Sequence, residues 1–66
     1  MRIVVNGKPR DVADDARVSD LVREVGLRDK NVVVERNGEP LERERFQTVK
    51  IEPDDVLEIV RPVQGG

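Results

Sequence analysis

The apolar residues of this chain never run for more than three positions, and most of them branch at Cβ. The longest runs are Ile3-Val4-Val5 and Val32-Val33-Val34, and 13 of the 24 apolar residues are Val with three more Ile. A membrane-crossing helix needs about 20 apolar residues in succession, so none is expected. β-Branched side chains are stiff against a helical turn and pack well on a pleated surface. The core is therefore expected to consist mainly of short strands. At 66 residues there is room for one domain, which buries only about 60% of the unfolded surface. Cys, His, Trp and Tyr are all absent. Disulfides and the usual zinc sites are excluded, and so are most familiar nucleophiles and general bases. An enzyme in its own right is not expected. Twelve Lys/Arg against fourteen Asp/Glu give a net charge of -2, whereas nucleic-acid binding draws on a basic face. Neither a nucleic acid nor a membrane is an expected partner. No charged-then-apolar leader follows Met1, so a cytoplasmic location is expected.

Turn chemistry divides the chain. Arg2 to Asn6 reads as a strand, and Asn6-Gly7 is a strong hairpin signal because both central residues of a type I′ turn need positive φ. The return strand, Lys8 to Ala13, contains Pro9 near its start and belongs at a sheet edge. Val18, Leu21, Val22 and Val25 recur at helical spacing. Ser19 or Asp15 is the expected cap, and Gly26 suits the left-handed position that ends a helix. Val32 to Arg36 is a third strand, closed by Asn37-Gly38. Asn-Gly-x-Pro thus occurs at 6–9 and again at 37–40, a repeated turn and not a repeated fold. Leu41 to Phe46 reads as a turn or short helical piece, with Phe46, the only aromatic residue, as a core plug. Gln47 to Ile51 reads as a fourth strand. Glu52-Pro53-Asp54-Asp55 is a turn with Pro at its second position, and Val56 to Arg61 is the last strand. The order β-β-α-β-β-β, with strongly apolar strands at both ends pairing in parallel at the centre, predicts an α+β mixed sheet with one helix on one face. This is the β-grasp, or ubiquitin-like, arrangement, with a small open barrel as the alternative. The expected division is a β-grasp domain over 1–61 and a flexible diglycine tail over 62–66.

The chain body offers little chemistry. Asp14-Asp15 and Asp54-Asp55 fall in turns without the spacing or glycine of a calcium loop, and read as solvated carboxylates. Ser19 has no base to activate it. No bound metal or cofactor is expected. The end, Val63-Gln64-Gly65-Gly66, is different. Gly is about 7% of residues on average, so a Gly pair at a terminus arises in about one chain in 200. A terminal carboxylate, ionised at neutral pH with a reference pKa of about 3.3–3.7, is a poor electrophile until a phosphoryl group activates it. Reaching the α-phosphate of ATP through a narrow channel favours residues with no side chain and free φ. On that chemistry the chain is expected to be an acyl carrier activated by another enzyme.

Over its whole length the sequence resembles the ThiS-type sulfur carriers. The resemblance is carried by Ile3-Val4-Val5-Asn6-Gly7, by Val18-Ser19-Asp20-Leu21-Val22, and by Val32-Val33-Val34 before Asn37-Gly38. Further on it rests on Leu41-Glu42-Arg43 before Phe46, on Pro53-Asp54-Asp55, and on Val56-Leu57-Glu58-Ile59-Val60 leading to Gln64-Gly65-Gly66. It implies a β-grasp protein whose terminal glycine is adenylated by a ubiquitin-activating-type enzyme using ATP and magnesium. A sulfur donor, a cysteine desulfurase or similar, then gives a thiocarboxylate whose sulfur passes to thiazole synthase for the thiazole of thiamin. By the match Gly66 bears the sulfur and Gly65 is its flexible neighbour. Carriers for transfer-RNA thiolation or molybdopterin, and ubiquitin-like protein modifiers, share the first step and remain alternatives. A plain ubiquitin-like binding module is a further one.

Charged neighbours set the strand faces. Glu35 in water turns Val33 outward and Val32 and Val34 inward, Glu58 takes Val60 outward, and Arg2 takes Val4 outward. If the three strands adjoin, Val4, Val33 and Val60 form an apolar stripe on the open face. With Val63 and Gln64 of the tail, this stripe is the expected partner contact.

Overall fold

The two Asn-Gly turns organise the sheet. In the computed structural model, which describes residues 1–62, Asn6 and Gly7 have φ of 51° and 81°, and Asn37 and Gly38 have 54° and 85°. Each pair closes an antiparallel hairpin. The first joins β1 (Arg2–Val5) to β2 (Lys8–Asp11), with Val4 opposite Pro9. The second joins β3 (Val33–Arg36) to β4 (Glu39–Leu41), with Glu35 opposite Pro40. β5 (Val56–Val60) lies between the hairpins, parallel to β1 and antiparallel to β3, so the order is β2-β1-β5-β3-β4. Both prolines fall on edge strands, where a missing N–H leaves no gap in the ladder. This is the mixed β-grasp sheet expected from the element order.

The asparagines also hold the central strand. The Asn6 side chain receives the Ile59 N–H at 2.8 Å and donates to the Ile59 carbonyl at 3.2 Å. Asn37 accepts the Val56 N–H through its side chain at 2.9 Å, and its own N–H donates to the Val56 carbonyl at 2.7 Å. The turns thus extend β1 and β3 along β5 beyond the reach of their backbones.

One helix, α1 (Val18–Glu24), covers one face of the sheet. Val18, Leu21 and Val22 are fully buried against Ile3, Val32, Val34, Leu57 and Phe46. The helix ends on Gly26 at φ 83°, where the Gly26 N–H bonds the Arg23 carbonyl and the Leu27 N–H bonds that of Val22. These two bonds are the Schellman pattern, which a left-handed residue makes possible. Two short 3₁₀ turns, Asp29–Asn31 and Arg43–Arg45, lead into β3 and into Phe46.

Three expectations are corrected. The fourth strand is Glu39–Leu41 and not Gln47 to Ile51. Of the latter segment only Lys50 forms a bridge, to Arg17, and its carbonyls serve α1 instead. The Val18 N–H donates to Val49 and the Ser19 N–H to Phe46, so loop carbonyls take the free N–H groups of the first turn. Hence neither Ser19 nor Asp15 caps the helix. Arg17 is the cap residue, and its N–H donates to the Asp20 carboxylate at 2.9 Å. Ser19 is instead buried inside the helix, where its hydroxyl donates to Asp29 at 2.7 Å. Finally, Asp55 is not a solvated turn carboxylate but a buried one.

Candidate functional site

β5 delivers the chain to one end of the sheet. Its last residue, Val60, lies opposite Val33 at the start of β3, and Ile59 is held by Asn6 at the turn of the first hairpin. Arg61 and Pro62 leave the sheet there, both exposed. The expected attachment residue Gly66 and its neighbours Gly65, Gln64 and Val63 lie outside the described residues.

The face of the sheet opposite α1 is uncovered, and it carries the three large hydrophobic residues exposed among the described residues. Val60 is 56% exposed, Val33 48% and Val56 44%. Strand alternation explains all three. On β5, Leu57 and Ile59 point to the core, so Val56, Glu58 and Val60 point away from it. On β3, Val34 points inward and Val33 and Glu35 outward. Val33 and Val60 are direct cross-strand partners.

The continuous Val4, Val33, Val60 stripe is not what the register gives. β1 does adjoin β5, but Val4 pairs with Val56, four residues before Val60. At about 3.3 Å per residue that is roughly 13 Å along the strand. Val4 is only half-exposed and lies opposite Pro9 on its other side. Two apolar patches result, Val33 with Val60 near the chain exit and Val4 with Val56 and Pro9 further back. Between them Glu58 of β5 faces Glu35 of β3. A charge-based assignment of faces identifies which residues point out. It does not give the stagger between parallel strands, which the β1–β5 pairing sets.

The turn before β5 is fixed by charge. Asp55 accepts from the Arg36 guanidinium at 2.9 Å, the Asn37 amide at 3.1 Å and the Glu52 N–H at 2.9 Å. Burial alone would raise its pKa, but the bonds from Glu52, Asn37 and Arg36 together outweigh it and hold the carboxyl below the usual range. Asp54, its neighbour, is exposed and stands at φ 67°, the third position of a type II turn closed by the Asp55 N–H on the Glu52 carbonyl. Among the described residues no group of three His, Cys, Asp or Glu is placed to hold a metal ion. Nor is any helix among them long and apolar enough to cross a membrane.

Known proteins are similar to this chain in sequence and in fold. The sequence model of the ThiS family matches residues 3–66. The sulfur carrier protein ThiS of Bacillus subtilis is 42% identical over 53 residues, 80% of each chain. A thiazole synthase of Paramagnetospirillum magneticum is 35% identical over 66 residues, all of this chain and 20% of that one. The chain thus spans about a fifth of the thiazole synthase it matches. The crystal structure of the thiamine biosynthesis protein ThiS from Geobacter metallireducens superposes with a TM-score of 0.83 at 36% identity, covering both chains completely. A family match that reaches from the first strand through Gly65 and Gly66, together with this agreement in fold, makes the chain a member of the ThiS family.

Proposed function

We propose that this chain is a cytoplasmic sulfur carrier for thiamin thiazole synthesis, working through Gly66. The observation that carries the reading is the family match, which extends through the diglycine. The Gly66 carboxylate attacks the α-phosphate of ATP on a ubiquitin-activating-type enzyme that holds magnesium. Pyrophosphate leaves, and an acyl adenylate remains. The persulfide of a cysteine desulfurase or similar donor then displaces AMP to give an acyl disulfide. A second thiol cleaves its S–S bond, forming a disulfide with the donor and releasing the thiocarboxylate. That group is the nucleophile handed to thiazole synthase. This chain supplies no base and no cofactor. It supplies an acyl end, and Gly65 and Gly66 are the residues least obstructive in a narrow channel. The Val33–Val60 patch beside the chain exit is the surface by which partners grip the carrier, with Val63 and Gln64 as the next contacts along the chain.

Thiazole synthase is favoured as the acceptor because a segment matching all 66 residues forms part of the thiazole synthases of Paramagnetospirillum magneticum and Magnetococcus marinus. Intact mass tests the reading after incubation with ATP, magnesium, a sulfur donor and the host adenylating enzyme. Exchange of oxygen for sulfur resembles oxidation of Met1 in mass, so the sample is also alkylated. With no cysteine in the chain, a tag on the C-terminal peptide reports a thiocarboxylate. Absence of the tag, with an enzyme active on another carrier, overturns the reading.

A further inference from the structure

The open face carries two like charges where the free sheet gains nothing from them. Glu35 and Glu58 are direct cross-strand partners, a placement that brings Cβ atoms to about 5 Å and is destabilising for like charges. Both are exposed. Among the described residues neither is paired with a cation. Their neighbours give no relief. Pro40 lies beside Glu35 on β4, and Asn6, the β1-side neighbour of Glu58, is engaged with Ile59. The pair is bracketed by apolar residues on the same face, with Val33 and Val60 on one side and Val56 on the other.

This pattern is complementary to a surface with apolar side chains around one cation. We propose that the open face docks on the thiazole synthase that receives the sulfur, and that an arginine of that enzyme enters between Glu35 and Glu58. The proposal rests on the carrier reading above. Thiazole synthase is chosen because its relatives hold a domain like this one within their own chain, and such a link keeps the two surfaces within reach of each other. A guanidinium presents five N–H donors in a planar fork, enough to serve a carboxylate on each edge. Water excluded by the flanking valines strengthens both contacts. Repulsion that weakens the free sheet is thus relieved in the complex.

The test uses the full chain and the thiazole synthase of the same organism. Binding is measured by calorimetry at low and high salt for the wild type, Glu35→Gln, Glu58→Gln and the double variant. The double variant is expected to bind about tenfold more weakly or worse, with a shallower salt dependence. Its thermal midpoint is expected to equal or exceed that of the wild type, which separates lost binding from lost folding. Equal affinity and equal salt dependence in the double variant overturn the proposal. So does a wild-type chain that forms the thiocarboxylate yet fails to bind thiazole synthase. Alkylation of the same wild-type sample separates the two levels. If it forms no thiocarboxylate with an active adenylating enzyme, the carrier reading itself is overturned and the proposal goes with it.

Discussion

Asp54 and Asp55 are the same residue type in the same turn, yet they do opposite things. Asp54 is exposed and stands in a left-handed conformation, while the Asp55 side chain is only 7% exposed and takes three hydrogen bonds. The sequence shows the turn but not this difference, because Arg36 and Asn37 reach Asp55 only once β3 lies beside β5. Asp55→Asn leaves Arg36 without its counter-ion and is expected to cost about 2 kcal/mol, below the range for fully buried pairs because Arg36 retains some access to water. Urea denaturation at pH 7 measures it. The pH dependence has a definite sign. The folded pKa of Asp55 lies below its unfolded value, so its charge contributes stability that is complete above the unfolded pKa. That stability is lost as pH falls through the folded pKa. The Asp55→Asn variant should show a flatter decline in stability below about pH 4. Some decline remains from Asp11, which its hydrogen bond and ion pair with Arg2 also hold low.

Among the elements, the asparagine of each Asn-Gly turn has a second role. Its turn propensity is visible in the sequence. Its grip on β5 is not, since a side chain that completes a ladder leaves no periodic signal. Asn6→Gly keeps the positive φ and removes both bonds to Ile59, whereas Asn6→Ala removes the bonds and adds strain. The expected losses are about 1–2 kcal/mol for Gly and about 1 kcal/mol more for Ala, in thermal or urea unfolding. Gly26→Ala isolates the conformational cost, because open space surrounds the added methyl at φ +83°. A loss of about 1 kcal/mol is expected there. The fourth strand shows how pattern misleads. Gln47 to Ile51 has apolar Val49 and Ile51 at strand spacing, but their burial serves the helix entry. Glu39–Leu41 has one apolar residue and a proline, and becomes a strand because the Asn37-Gly38 turn returns it along β3. The stronger clue was the turn, not the run that followed it.

At the scale of the molecule, the parallel pairing of the first and last strands at the sheet centre was legible from the apolar strands at both ends of the chain, and so were the outward directions of Val33 and Val60. The join of the two patches was not, because parallel stagger depends on β1 and β5 meeting and no turn connects them. Val60→Asp places a charge on an exposed site of the central strand. It should cost about 1 kcal/mol of stability, from lower strand propensity and the nearby Glu58, and weaken adenylation several-fold, read as the rate of pyrophosphate release with the host enzyme. An unchanged rate removes this face from recognition by the adenylating enzyme. The placing of β5 has a further consequence, for the order of events during synthesis. The strand at the heart of the sheet is made after every other strand, and Val4 meets Val56 across nearly the whole chain. Such distant pairing makes folding slow relative to local collapse, and an emerging chain has two hairpins with nothing between them until β5 appears. A fragment ending before Val56 should show no cooperative thermal transition by circular dichroism. Folding is thereby a length check: a chain translated only as far as residue 55 has no stable body to present to any partner.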